Sequence, residues 1–456
     1  MQTIHEAAAA IRDKKITPVD LVQQCLKAID RWEEHIHAWV FVDREGALEE
    51  AKRLTDELAR GQYRGPLHGI PIGVKDIFDV FDWPTAAGSK LWANSIARQD
   101  ADVVRQLRQA GCIFLGKTVT TQYASFDPPV TKNPWNLSRT PGGSSSGSAA
   151  AVATGMCLGA LGSQTGGSIT RPASYCGVAG CKPSYGYVSC NGVVPLAPSM
   201  DHPGPIARCV KDLAILLQAM AGKRGIDPGC FFPGPEKDLA RACCNPDQAD
   251  PIEFAFGRPR GLFHDSAVPS VRAAMDEICN VLSEKLREAG IGIGDVVLPP
   301  AFSEVIPRHR IVMAVEAALF HKGRLSNHPE DYQPRIRALL EEGIRCSGTE
   351  YMACLEHKQR LRDDIGSQLY AGVLITPATT SPAPDSSTTG DPAFNSPWSY
   401  TGAPTISIPT GQMVDGLPLA IQLVSGHRFG HSHLFRAAAF IEMALGVGPL
   451  TPPLPR

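Results

Sequence analysis

Two glycine-flanked serine clusters mark the centre of the chain: Thr140-Pro-Gly-Gly-Ser-Ser-Ser-Gly-Ser148 and Gly162-Ser-Gln-Thr-Gly-Gly-Ser-Ile-Thr-Arg171. A serine hydroxyl is a poor nucleophile near neutral pH. It needs a base to take its proton, and the oxyanion formed on attack at a carbonyl needs N–H donors aimed at it. The run Thr165-Gly166-Gly167-Ser168 suits that second task, because glycines let consecutive amides curl toward one point. For the base, no histidine lies between His68 and His202, whereas Lys75 is flanked by apolar Ile72, Val74, Ile77 and Phe78. Desolvation there disfavours the ammonium form and would let the neutral amine accept a proton. The alternative is that Lys75 pairs with Asp76 or another carboxylate and serves the fold.

These groups need elements to hold them. Thr17-Pro-Val-Asp20 opens a helix with an N-cap, a proline at its first position and an acid at the capping-box position, and Leu21, Val22, Cys25, Leu26 and Ile29 share one face. A further helix is expected over Arg44–Arg60. The β-branched, glycine-punctuated run from His68 to Phe78 reads as a buried strand carrying Lys75 at or just beyond its end. Helix Asp102–Ala110 followed by the apolar run Cys112–Leu115 gives the alternation of α/β architecture. Ala149–Met156 reads as a helix of methyl side chains packed very closely, with the Gly-Ser clusters on either side as loops. A flexible linker is the alternative for those clusters, but the small-residue segment Cys176–Tyr185 that follows suits a buried core instead.

Downstream, Cys209–Ala221 is helical by pattern, and Lys223–Arg260 is a Pro/Gly-rich surface excursion or lid. Helices are predicted over Pro269–Ala289, Phe302–Lys322, Tyr332–Glu342 and Thr349–Tyr370. Strands are predicted over Val373–Thr376, Thr405–Ile408 and Leu417–Leu423, and a closing helix over Gly430–Ala444.

Composition narrows the function classes. Against 46 acidic residues stand 44 Lys and Arg, a formal charge of −2 with no block of like charge, so nothing supports nucleic-acid binding. No apolar run reaches the ~20 residues that span a bilayer, and Met1–Lys15 lacks a signal peptide's apolar block. The chain therefore reads as cytoplasmic. Its 13 cysteines are expected reduced and buried, and Cys176, Cys181 and Cys190 lack the C-x2-C pair of a structural zinc site. His427, His431 and His433 form H-x3-H-x-H without an accompanying carboxylate, which favours a turn and helix start over a metal site.

Taken together, these segments resemble the amidase signature family of serine hydrolases. The likeness is carried by Gly73-Val-Lys75-Asp76, Thr140 through Val152, Gly166-Gly-Ser-Ile169 with Arg171-Pro172, Cys176-Gly-Val with Lys182-Pro183, and Asp201-His-Pro-Gly204. It continues through Tyr400-Thr-Gly-Ala-Pro404, Ile408-Pro-Thr-Gly411 and Gly416-Leu-Pro to Gln422. The resemblance implies one domain over residues 1–456, a mixed central β-sheet covered by α-helices on both sides, and a helical insertion over 223–370 that sets substrate specificity.

It also implies a Ser-Ser-Lys triad of Lys75, Ser144 held by a cis peptide bond, and nucleophilic Ser168. The amides of Thr165, Gly166, Gly167 and Ser168 would form the oxyanion hole, supported by Ser145 and Arg171. The implied reaction cleaves a small-molecule amide through an acyl-enzyme, with no cofactor, no metal and no membrane or nucleic-acid partner, and a homodimer is compatible with it.

Two features depart from the family pattern. Gln164 stands where many members carry Asp. Ser145 is also the centre of a formal G-x-S-x-G match, Gly143–Gly147, but a nucleophile elbow should follow a strand and this one follows Asn133-Pro-Trp-Asn and Pro141. Two other functional readings are the glutamine-hydrolysing component of a tRNA-dependent amidotransferase, which works with a partner subunit, and a non-catalytic scaffold. The first is disfavoured by Thr118-Val-Thr-Thr-Gln-Tyr-Ala-Ser125, which lacks that component's usual Met-Asp-Glu-Phe-Ala pattern, and by Asp201-His202 in place of Asp-Gln. Against the second, every catalytic residue type is retained.

Overall fold

A computed structural model describes residues 2–221, 238–244, 255–288, 290–369, 372–426 and 430–454. In chain order its strands are β1 (Trp39–Val42), β2 (Pro71–Lys75), β3 (Ile113–Thr118), β4 (Gly159–Gln164), β5 (Ala179–Lys182), β6 (His202–Ala207), β7 (Ala255–Pro259), β8 (Ile293–Val296), β9 (Gly372–Pro377), β10 (Thr405–Val414) and β11 (Leu417–Ser425). These strands make one sheet in the order β1-β3-β2-β4-β6-β5-β10-β11-β9-β7-β8. The sheet is mixed: β2 runs parallel to both β3 and β4, whereas β4, β6, β5, β10, β11 and β9 pair antiparallel in succession. Helices flank it, so the fold is α/β as expected.

The Thr17 signal acts as read. Its hydroxyl accepts the Asp20 amide, Asp20 reaches back to the Thr17 N–H, and the helix Pro18–Ile36 buries Leu21, Val22, Cys25, Leu26, Ile29, Trp32 and Ile36. The Ala-rich helix spans Ser146–Ala153 and is buried all round. Small side chains are required there because backbones meet: a Cβ at Gly147 would stand 2.2 Å from the Ala38 carbonyl oxygen and 2.4 Å from the Val119 nitrogen.

Three strands lie where the sequence pattern suggested loop or left the segment open. β4 has the sequence GALGSQ and is buried throughout, yet it shows no apolar alternation because helices press on it. A Cβ at Gly159 would stand 2.7 Å from Leu216, which is why small residues replace bulky ones. β5 and β6 complete the same small-residue centre. Part of the expected excursion 223–260 lies outside the described residues, and its end, Ala255–Pro259, is the strand β7 between β9 and β8. The helix expected from Phe302 begins with a 3-10 turn, Pro300–Glu304, and continues as Val305–Asn327. Among the described residues no helix is long and apolar enough to cross a membrane, and no disulfide joins the cysteines.

Candidate active site

Lys75 ends β2 with its side chain wholly buried. Its Nζ donates to Ser144 Oγ at 2.7 Å and to Ser163 Oγ at 2.7 Å. Ser163 comes from the neighbouring β4, which runs parallel to β2. Burial pushes the Lys75 ammonium well below the ordinary lysine range, with the charge of Asp201 opposing that shift.

Asp76 does not take Lys75. Its carboxylate lies 2.9 Å from Lys117 Nζ of β3, both side chains being almost fully enclosed. Lys117 also donates to the Pro84 carbonyl at 2.9 Å and to Thr85 Oγ1 at 3.2 Å. Burial favours the neutral form of each partner, and their mutual charge opposes it. Asp76→Ala should therefore cost about 3 kcal/mol of stability by leaving Lys117 enclosed without its carboxylate. Chemical denaturation checks this, and an unchanged midpoint would mean that the pair does not support the fold.

The Gly143–Ser144 peptide is cis. The loop around it is held by backbone partners: the Ser144 carbonyl accepts the Thr121 N–H at 3.2 Å, and the Gly143 carbonyl accepts Arg171 Nη2 at 2.8 Å. Arg171 also donates to the Gly390 carbonyl at 2.9 Å and to Thr389 Oγ1 at 3.2 Å. The buried guanidinium thus joins the loop at Gly143 to the loop at Thr389 and Gly390. Ser145 is engaged similarly. Its amide donates to the Ser168 carbonyl at 3.2 Å, while its hydroxyl donates to the Ser163 carbonyl at 3.3 Å and accepts the Ser163 amide at 3.2 Å. No strand precedes it, so the elbow context is missing.

Ser168 follows β4 and keeps 7 % exposure, whereas Ser144 and Ser145 have none. The bond from Ser145 N–H to its carbonyl ties it to the Lys75 cluster. Gln164 explains its own place in the loop: Oε1 accepts the Ile169 and Thr170 amides at 2.9 and 3.0 Å, capping the helix Thr170–Cys176, and Nε2 donates to Ser399 Oγ at 3.3 Å. An amide does both; a carboxylate could only accept.

The Thr165–Ser168 loop has further partners that sequence reasoning missed. Thr165 Oγ1 donates to Asp201 Oδ1 at 2.5 Å, the Thr165 carbonyl accepts His309 Nε2 at 2.8 Å, and the Gly166 carbonyl accepts Ser399 Oγ at 2.7 Å. Asn395 Oδ1 stands against Gly167. Ser163 lies inside the second serine cluster, but only the folded chain brings it to Lys75. His309, Asn395 and Ser399 carry no local signal, because only the folded chain brings them to the loop.

His427 lies outside the described residues. His431 is buried, accepts the Ser184 amide at 3.0 Å and lies tilted against Tyr187 with ring centroids 3.8 Å apart. Among the described residues, the ligand atoms of His5, Cys209 and Asp212 are close enough to share a cation. Asp212, however, already accepts the Ile4 and His5 amides and His5 Nδ1 at the start of the helix Ile4–Arg12.

Against this geometry, residues 20–431 match the family described as Amidase. An amidase of Pseudomonas putida is 33% identical over 465 residues, covering 97% of this chain and 96% of the relative. A glutamyl-tRNA(Gln) amidotransferase component of Syntrophus aciditrophicus is 33% identical over 481 residues, covering 96% of each. The solved structure of native peptide amidase from Stenotrophomonas maltophilia superposes with a TM-score of 0.84 at 26% identity, covering 100% of this chain and 99% of that one. The site therefore sits in an amide hydrolase. The chain belongs to the amidase signature family.

Proposed function

We propose that this protein hydrolyses a carboxylic amide through an acyl-enzyme on Ser168. The observation that carries the reading is Lys75: wholly buried, 2.7 Å from Ser144 Oγ, and with no carboxylate at ion-pair distance among the described residues. Neutral Lys75 accepts the proton of Ser144 as Ser144 accepts that of Ser168, and Ser168 Oγ attacks the carbonyl. The Thr165, Gly166, Gly167 and Ser168 amides receive the oxyanion. The relay run backwards protonates the leaving amine, and water then attacks the ester to release the acid. Ser145 and Arg171 hold the two loops in place, and the helices after residue 269 shape the substrate side.

The oxyanion assignment makes a prediction within the loop. A Cβ at Gly167 would stand 2.6 Å from Asn395 Oδ1, whose amide is tied to the Ala378 carbonyl and Gln422 Oε1 and cannot retreat. At Gly166 the nearest atom would be Ser396 Oγ at 3.3 Å. Gly167→Ala should lower kcat about a hundredfold, on the scale of one lost oxyanion donor, and Gly166→Ala should cost clearly less. Equal losses in steady-state assays would remove the basis for this assignment.

Ammonia or amine release across an amide library tests the activity itself. A second reading rests on the likeness to the glutamyl-tRNA(Gln) amidotransferase component: glutamine hydrolysis that depends on a partner. Activity on simple amides by the chain alone supports the first reading. Activity restricted to glutamine and to a co-purified partner supports the second.

A further inference from the structure

The amides assigned to the oxyanion belong to peptide units whose carbonyls are gripped from outside. A peptide unit is planar, and in the trans form its N–H points opposite to its C=O, so a bond that fixes a carbonyl also aims the next residue's amide. The Thr165 carbonyl shares its plane with the Gly166 N–H, and the Gly166 carbonyl shares its plane with the Gly167 N–H. The first accepts His309 Nε2 at 2.8 Å and the second accepts Ser399 Oγ at 2.7 Å. Neither unit is cis.

Both gripping side chains are rigidly placed. His309 is 4 % exposed on the helix Val305–Asn327, with its Cε1 3.6 Å from where a Cβ of Gly166 would stand. Its Nε2 faces a carbonyl and so carries the proton, which makes the ring a donor to the loop without adding a charge beside it. Burial keeps that ring neutral, lowering its pKa to about 4. Ser399 is fully buried on the short helix Ser396–Thr401 and receives Gln164 Nε2 at 3.3 Å, which leaves its own hydrogen for the Gly166 carbonyl.

We propose that His309 and Ser399 are positioning residues of the oxyanion hole, each aiming one donor, Gly166 N–H and Gly167 N–H respectively, through a single peptide plane. The inference rests on the reading of this loop as the oxyanion hole. It gives the helix beginning at Val305 a second task beside shaping the substrate side: its seating sets the direction of a catalytic amide.

The test uses the full chain and an amide substrate found by the library screen, with four variants. His309→Phe keeps a ring and removes the donor; His309→Gln keeps a donor; Ser399→Ala removes the second grip; Ser168→Ala is the control. His309→Phe and Ser399→Ala should each lower kcat about a hundredfold, the scale of losing one oxyanion donor, with KM within about threefold. His309→Gln should recover to within about tenfold of the parent. A trifluoromethyl ketone analogue, which binds as a tetrahedral oxyanion, should lose affinity by the same factor as kcat/KM. Normal kcat in His309→Phe, a loss that appears in KM alone, or analogue affinity unchanged while kcat falls would overturn the proposal. If Ser168→Ala stays active, the underlying site assignment fails; if it is inactive while His309→Phe turns over normally, only the positioning role fails.

Discussion

Lys75→Arg should leave about one thousandth of parental turnover or less, although it keeps a cation in the same place. The guanidinium stays protonated at any working pH and cannot accept a proton, and general-base catalysis contributes ~10²–10⁴-fold. Arginine is also too long for a wholly enclosed site whose Nζ lies 2.7 Å from two hydroxyls. Lys75→Ala should lose a similar amount yet keep a small residue of catalysis, because the loop amides can still receive an oxyanion. The pH profile follows from the same chemistry. Burial holds the Lys75 ammonium well below 10.5, and in the proposed relay only the neutral amine is active, so kcat/KM should fall as pH drops through that lowered value and reach a plateau above it. A basic limb centred near 10.5, or near-normal turnover in Lys75→Arg, would make Lys75 a structural group and require another base.

Ser168→Ala should reduce kcat by about 10⁵-fold or more, because no acyl-enzyme can form. In the proposed relay the proton of Ser168 reaches Lys75 through the Ser144 hydroxyl, so Ser144→Ala should fall nearly as far. The double variant should be scarcely worse than either single one, because members of one catalytic unit do not add. Melting temperature separates chemistry from folding. The Ser168 bond to Ser145 uses the backbone carbonyl, which alanine retains, so Ser168→Ala should melt with the parent. If Ser168→Ala turned over substrate at more than about one hundredth of the parental rate, the nucleophile would lie elsewhere.

Much of this site is legible in the sequence because its chemistry is local. A lysine among Ile72, Val74, Ile77 and Phe78 announces burial, and Lys75 is wholly enclosed. The helix at Thr17 reads from four residues. What is not legible depends on register and on distant segments. β4 and β5 lack apolar alternation because helices stand close to Gly159 and Gly180, and in β6 Gly204 instead meets the Cys181 carbonyl of β5. Asp76 and Lys75 are neighbours in sequence, but their side chains take different partners: Ser144 and Ser163 meet the lysine, and Lys117 of β3 takes the aspartate. His309 meets Thr165 across 144 positions, and Ser399 meets Gly166 across 233. No window of sequence contains either pair.

The most direct test of the central assignment is the position of a covalent adduct. The protein is labelled with a fluorophosphonate, or quenched during turnover of an ester analogue, and digested. Both serine clusters fall in one stretch without Lys or Arg between Arg139 and Arg171, so fragment ions within that peptide must locate the mass. One modification per chain is expected, on Ser168, lost in Ser168→Ala and formed far more slowly in Lys75→Ala. An adduct on Ser145 or Ser144 in the parent, or labelling that persists in Ser168→Ala, would contradict it.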